Sequence, residues 1–136
     1  MLGFVSQSQM NILLDTCEFL WLASDPCQLS PKARQCLQDR ANQLFLSAVS
    51  FQEITIKHSI GKLTLPDDPA RFLPEACGRL SLTPLPLFPE AALLLNTLPL
   101  HHRDPFDRTL ICQAIFHHLV FASSDEKMPP YPITLL

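Results

Sequence analysis

The chain has 136 residues, of which 47% are hydrophobic and 17% are charged, and its formal net charge is −3. This length predicts one domain with a packed core, and the acidic balance argues against a protein that binds nucleic acid through a broad basic surface. The low charged fraction predicts an apolar exposed surface that would favour a partner or self-association.

Several features bear on the cellular compartment. No stretch approaches the ~20 apolar residues of a membrane-spanning helix. The N-terminal segment has neither the basic start nor the long apolar run of a secretory signal. The cysteines are odd in number and form no Cys-x-x-Cys motif, which argues against a disulfide framework or a zinc ribbon and predicts a reducing cytoplasm. They are Cys17, Cys27, Cys36, Cys77 and Cys112.

The first part of the chain alternates apolar runs with helix signals. Residues 1–9 precede the first predicted strand and are interpreted as an unstructured lead-in or an expression remnant, so the domain is expected to span 10–136. Ser30 and Pro31 have the types expected at a helix N-cap and first helical position. The predicted elements are a buried strand at 10–14, a segment at 16–23 too apolar for a solvent-exposed helix, a helix at 31–40 and a strand at 44–49.

The second part continues this alternation. Ser50 and Glu53 have capping-box spacing, which predicts a helix that begins at Ser50, and Asp104 before Pro105 predicts another helix N-cap. The predicted elements are helices at 50–60, 69–78, 89–98 and 105–118, a strand-like segment at 81–87 that its prolines confine to an edge or a loop, and strands at 119–122 and 133–136. Alternating strands and helices predict an α/β fold with a parallel sheet covered on both faces.

Five acidic residues lie at the tips of these elements: Asp15, Glu53, Asp104, Asp107 and Asp125. Because the carboxyl ends of parallel strands meet at one edge of a sheet, these carboxylates are expected to converge there. Like charges within a few ångström raise one another's pKa, and a divalent cation relieves the repulsion. Mg²⁺ and Mn²⁺ prefer oxygen ligands and can activate water against a phosphodiester. The pattern therefore predicts a metal site for phosphodiester chemistry.

Each acid also has an ordinary structural explanation. Asp15 and Asp104 suit helix N-caps, Asp125 suits a turn after a strand, and Glu53 suits the reciprocal cap. Asp107 would gain from the helix dipole, and it ranks above Asp104 as a metal ligand because Asp104 is the better cap.

Other constellations are less informative. Arg103 and Arg108 flank the pair Asp104 and Asp107, beside two histidines, and this cationic setting favours an anionic ligand. Adjacent histidines do not face the same way, so zinc chelation by the pairs at 101–102 and 117–118 is not expected. No phosphate loop, dinucleotide fingerprint or nucleophile elbow is present. A phosphoacceptor receiver domain would need a second acid beside Asp15, and the chain lacks one.

The segments that carry these acids resemble PIN-domain ribonucleases, specifically the VapC-type toxins of type II toxin–antitoxin pairs. The matching segments are 11–16, 46–57, 101–114 and 123–125, and the string His-His-Arg-Asp-Pro-Phe-Asp-Arg at 101–108 is distinctive. The chain departs from the family at Gln52, where Trp is common, and at Ser123 and Ser124, where Thr is more usual. Neither departure removes an acid.

The resemblance implies a three-layer α/β/α PIN-like domain with a central parallel sheet. It also implies a Mg²⁺- or Mn²⁺-dependent endoribonuclease that cleaves RNA and inhibits growth. The catalytic acids it implies are Asp15, Glu53, Asp107 and Asp125, with metal bound by Asp15, Asp107 and Asp125. The supporting residues it implies are Asp104, Thr16, Ser123 and Ser124, with Arg103 and Arg108 as phosphate contacts.

Partners follow from the same resemblance. It implies a cognate antitoxin that lays a segment into an apolar groove, for which the run at 19–22 is a candidate, and a homodimer. The alternative is a non-catalytic PIN-like binding domain whose acids engage a partner protein.

Overall fold

The computed structural model describes residues 9–100 and 104–136, and its central feature is a parallel sheet. The strands are β1 (Asn11–Leu14), β2 (Gln43–Ser47), β3 (Leu82–Leu85), β4 (Val120–Ala122) and β5 (Thr134–Leu135). Their spatial order is β3-β2-β1-β4-β5, and each neighbouring pair is parallel. The predicted parallel sheet is therefore confirmed, with β1 at its centre.

Helices connect these strands. They are α1 (Thr16–Ser24), α2 (Pro31–Gln38), α3 (Ala48–Ser59), α4 (Pro69–Leu80), α5 (Pro89–Leu93) and α6 (Pro105–Phe116), with short 3-10 turns at Pro26–Gln28 and Leu94–Thr97. The segment at 16–23 is predicted to be too apolar for a solvent-exposed helix. It forms most of α1, and Phe19 and Leu22 of this helix are buried against the core. The single helix predicted at 89–98 is instead a short α-helix followed by a 3-10 turn.

The core lies on both faces of the sheet. Side chains of β1 alternate, so that Ile12 and Leu14 join one hydrophobic cluster and Leu13 joins the other. The first cluster includes Phe19 of α1, Leu37 of α2, Ile54 of α3 and Phe72 of α4, and the second includes Leu110 and Ile111 of α6. The sheet thus lies between two helical layers, which confirms the three-layer α/β/α architecture.

The start of α3 differs from the prediction. The strand before it ends at Ser47, and Ser47 is the N-cap: its Oγ accepts the Val49 N–H at 2.9 Å. The Ser47 hydroxyl also donates to the side-chain oxygen of Gln113, a fully buried residue of α6. Ser50 therefore lies inside the first turn of α3, and the predicted capping box of Ser50 and Glu53 is wrong. The reason is that the helix begins directly at the sheet edge, three residues earlier than the Ser-x-x-Glu spacing suggests.

Two other boundary predictions hold. β3 lies at the edge of the sheet, which is where Pro84 can be accommodated without the loss of a ladder hydrogen bond. Asp104 is the N-cap of α6, and its Oδ1 accepts the N–H groups of Phe106 at 2.9 Å and Asp107 at 3.2 Å.

The predicted lead-in at 1–9 lies outside the described residues except for Gln9, which is exposed, and the domain bounds of 10–136 stay a prediction. Within the described residues, no helix combines the length and hydrophobicity needed to span a lipid bilayer.

Replacing Ser47 tests its double role. We expect Ser47→Ala to lower the free energy of unfolding by about 2–3 kcal/mol, because it removes a helix cap and leaves the buried oxygen of Gln113 without its donor. Ser30→Ala is the matched control: the exposed Ser30 caps α2 by accepting the Ala33 N–H at 3.1 Å, and its loss should cost only about 1 kcal/mol. Urea denaturation followed by circular dichroism measures both, and equal losses would contradict the second role of Ser47.

Candidate active site

The five predicted acids line one cavity of about 490 Å³ at the carboxyl edge of the sheet. They are Asp15, Glu53, Asp104, Asp107 and Asp125, and the predicted supporting residues Thr16 and Ser124 line the same cavity. These side chains lie at strand ends and helix starts, which meet at the carboxyl edge of a parallel sheet.

Asp15 combines a structural role with its place in the cavity. It follows β1, its Oδ1 accepts the Glu18 N–H at 2.9 Å as the N-cap of α1, and its Oδ2 accepts the Ser123 hydroxyl at 2.7 Å. Only 6% of Asp15 is exposed. Burial raises its pKa to about 6, although these two hydrogen bonds act in the opposite direction.

Glu53 is held at both carboxylate oxygens. Its Oε1 accepts a hydrogen bond from the Thr16 hydroxyl at 2.7 Å, and its Oε2 accepts one from the Lys57 ammonium at 2.6 Å. The Ser50 hydroxyl lies 2.8 Å from that of Thr16. Because Thr16 has a single hydroxyl proton and donates it to Glu53, Ser50 must donate to Thr16. A chain from Ser50 through Thr16 therefore fixes Glu53.

Lys57 is a site residue that the sequence motifs do not single out. It lines the cavity, and its bond to Glu53 raises its pKa. The signal in the sequence was the spacing of four between Glu53 and Lys57, which places the two side chains on one face of a helix.

Asp107 carries the clearest sign that the acids influence one another. Burial, and then the charges of Asp104, Asp15, Glu53 and Asp125, raise its pKa to about 7. The four other acids of the cavity therefore lie within electrostatic reach of this one carboxyl group. Asp104 shares the cavity while its side chain caps α6.

The loop after β4 ties Asp125 to α1. Asp125 accepts the Lys127 N–H at 2.9 Å, and its own N–H donates to the Ser123 hydroxyl at 3.1 Å. The next hydroxyl, that of Ser124, donates to Glu18 at 2.8 Å. Glu18 is a buried acid that sequence reasoning did not single out. Both predicted serines therefore connect the β4 loop to the start of α1.

Of the two predicted phosphate contacts, Arg108 lies within the described residues and Arg103 does not. The guanidinium of Arg108 donates to the backbone oxygens of Leu95 at 3.5 Å and Leu98 at 3.3 Å, next to the 3-10 turn. Its contact with phosphate stays a prediction. Arg103 lies outside the described residues, as do His101 and His102.

The chemistry of the cavity fits a hard divalent cation. Carboxylate oxygens are the ligands that Mg²⁺ and Mn²⁺ prefer, and the raised pKa values of Asp15 and Asp107 show that negative charge is unfavourable there. Cys17 also lines the cavity, but burial and the neighbouring acids raise its pKa to about 11, so it offers no thiolate at neutral pH. In the part of the chain that the structure describes, no three His, Cys, Asp or Glu side chains are already placed to hold one metal ion together. Cation binding would therefore require carboxylates to rotate inward.

Comparison with known proteins identifies the family and similar folds. The family model "PIN domain" matches residues 12–132, and no curated protein matches the sequence. Among solved structures, VapBC2 from Rickettsia felis bound to a DNA fragment from its promoter has a TM-score of 0.68 at 14% identity, covering 93% of this chain and 97% of that one. FitAB bound to the IR36 DNA fragment has a TM-score of 0.51 at 20% identity, covering 84% and 85% of the two chains.

A third structure, FitAcB from Neisseria gonorrhoeae, has a TM-score of 0.50 at 20% identity and covers 84% of this chain and 87% of that one. At such identities these likenesses concern the fold. The family model, by contrast, spans most of the sequence, including four of the strands and all five acids of the cavity. The chain belongs to the PIN domain family.

Proposed function

We propose that this protein is a Mg²⁺- or Mn²⁺-dependent endoribonuclease that acts in the cytoplasm as the toxin of a toxin–antitoxin pair. The observation that carries the proposal is the convergence of five carboxylates on one cavity at the carboxyl edge of the sheet. Membership of the PIN domain family and the mutual electrostatic effect on Asp107 support it.

In the proposed mechanism, Asp15, Asp107 and Asp125 would hold the metal. A bound divalent metal supplies an activated water and polarises the phosphodiester. Asp15 is oriented for this role by the Ser123 hydroxyl and by the N–H of Glu18. Burial of Asp15 keeps competing water away from its carboxylate.

Glu53 has a separate part in this mechanism. Because Thr16 and Lys57 fix both of its oxygens, we assign it to orienting the attacking water, or to a metal contact once Lys57 moves. The Lys57 ammonium partly neutralises the cavity and thus limits repulsion among the acids.

We also propose an antitoxin partner and a homodimer. Two of the solved structures of similar fold are VapBC2 and FitAB, each bound to a DNA fragment. Large apolar side chains are exposed on this chain, among them Leu93 at 74% and Leu100 at 64%. The run at 19–22 contributes less than expected to an antitoxin groove, because Phe19 and Leu22 are buried in the core and only Leu20 and Trp21 are partly accessible.

Removal of single acids tests the nuclease proposal. We expect Asp15→Asn and Asp107→Asn each to lower the rate of RNA cleavage with Mn²⁺ by at least about 100-fold, because each removes a charged metal ligand. Asp67→Asn is the matched control, since Asp67 is exposed and pairs with Arg71 outside the cavity. Cleavage of a labelled RNA, with and without chelator, measures the effect. A wild-type protein that binds a partner but never cuts RNA would favour the non-catalytic alternative.

Replacement of Lys57 separates metal binding from turnover. Lys57→Gln removes a positive charge from the cavity, so Mn²⁺ should bind about fivefold more tightly. The same change frees Oε2 of Glu53, so kcat should fall about tenfold. Titration calorimetry with Mn²⁺ and steady-state cleavage measure the two effects. Weaker Mn²⁺ binding together with an unchanged kcat would show that Lys57 does not have this role.

The raised pKa values predict how stability depends on pH. For Asp15 and Asp107 the folded pKa exceeds the ordinary value of 3.8, so their contribution to stability is complete below about pH 4 and is lost as pH rises through 6–7. Between pH 5 and 8 the metal-free protein should therefore lose roughly 5 °C in Tm relative to the double variant Asp15→Asn, Asp107→Asn. Mn²⁺ at pH 8 should raise the Tm of the wild type only. Thermal melts across pH measure this, and parallel curves for the two proteins would refute it.

A further inference from the structure

The cavity is lined by apolar and basic residues as well as by acids. Leu20 and Trp21 of α1 and Leu63, which follows α3, line it as an apolar wall, here called the apolar shelf. Lys57 and Lys62 line the same cavity. One cavity thus combines a carboxylate cluster, two cations and an apolar surface that includes an aromatic ring.

The end of α3 places part of this shelf. Gly61 has φ +76°, a left-handed conformation that suits glycine at a helix C-terminus. The Lys62 N–H then donates to the Lys57 backbone oxygen at 2.8 Å, and a ring nitrogen of His58 lies 3.3 Å from the Leu63 backbone oxygen. This closed turn brings Lys62 and Leu63 to the cavity.

The shelf is also packed from behind. Leu20, Trp21 and Leu63 are partly buried and pack against the hydrophobic cluster of α1–α4. These side chains are therefore held in place before any ligand binds, which lowers the entropy cost of binding on their outer surface.

The size of the cavity leaves room for more than a metal. Six waters around one cation occupy about 180 Å³ at about 30 Å³ each, whereas the cavity measures about 490 Å³. The shelf and the two lysines line the same cavity. A nucleotide combines the same features, because its charged phosphate and its flat apolar base are attached to the same sugar.

We propose that the apolar shelf, with Trp21 as its main contact, is a subsite that stacks one unpaired nucleobase next to the phosphodiester at the acids. The inference rests on the proposed nuclease function and adds to it a contact for one unpaired base of the substrate. Only an unstacked base can lie on a protein side chain, and stacking on aromatic rings tolerates different bases. Lys62 neutralises a neighbouring phosphate.

The chain provides a direct probe of this subsite, because Trp21 is its single tryptophan. The Asp107→Asn variant is mixed with a short single-stranded RNA, and the tryptophan emission is recorded while fluorescence anisotropy of a label on the RNA reports binding. We expect saturable quenching with the single strand and little with the same sequence as a duplex. RNA binding without any change in Trp21 emission would overturn the proposal.

Substitutions at Trp21 give a second measurement. In the otherwise wild-type protein, Trp21→Leu should raise KM for single-stranded RNA about tenfold and leave kcat nearly unchanged, because a stacked base contributes binding that the reaction itself does not require. Trp21→Phe keeps an aromatic ring and should retain most of the affinity. Thermal melts establish that both variants fold.

The outcomes separate this inference from the proposed function. Cleavage that is equally efficient in the wild type and Trp21→Leu removes the subsite while the nuclease stands. Quenching by RNA that the wild type never cleaves supports the subsite and refutes the nuclease. An absence of RNA binding refutes both.

Discussion

The mutual repulsion of carboxylates gathered at one sheet edge is the constraint on which the candidate site depends. Five acids line a single cavity. Burial raises the pKa of Asp15 to about 6, and burial together with the charges of the four other acids raises the pKa of Asp107 to about 7. A fold that only had to be stable would gain from fewer charges there. The arrangement therefore supports the proposal of a divalent cation at this site.

The protein offsets this repulsion with hydrogen bonds that also orient the acids. Asp15 receives a backbone N–H and the Ser123 hydroxyl, and Glu53 receives the Thr16 hydroxyl and the Lys57 ammonium. The Asp15 carboxylate thus both caps α1 and lines the cavity. Structural and functional explanations of these acids do not compete, because a helix that begins at the carboxyl edge of a sheet points its first turn into the crevice.

The same geometry brings more than acidic side chains to the cavity. α1 provides Asp15 at its cap and Trp21 nearly two turns later, while α3 provides Glu53 and Lys57 and ends in the turn that carries Leu63. Acidic, cationic and apolar surfaces therefore lie side by side within a few residues of each helix. The proposed binding of a phosphodiester and its base would use charged and apolar surfaces that lie side by side.

The sequence by itself determined the element types, the parallel sheet and the convergence of the acids. Hydrophobic patterning and the tips of elements are local properties, and the convergence follows from parallel topology. Only the tertiary structure decided which side chains meet. Ser123 and Asp15 are 108 positions apart, and Ser47 and Gln113 are 66 apart, so these contacts depend on how α6 and the β4 loop pack. Local spacing also favoured Ser50 over Ser47 as the cap of α3, because it does not reveal that the helix begins directly where β2 ends.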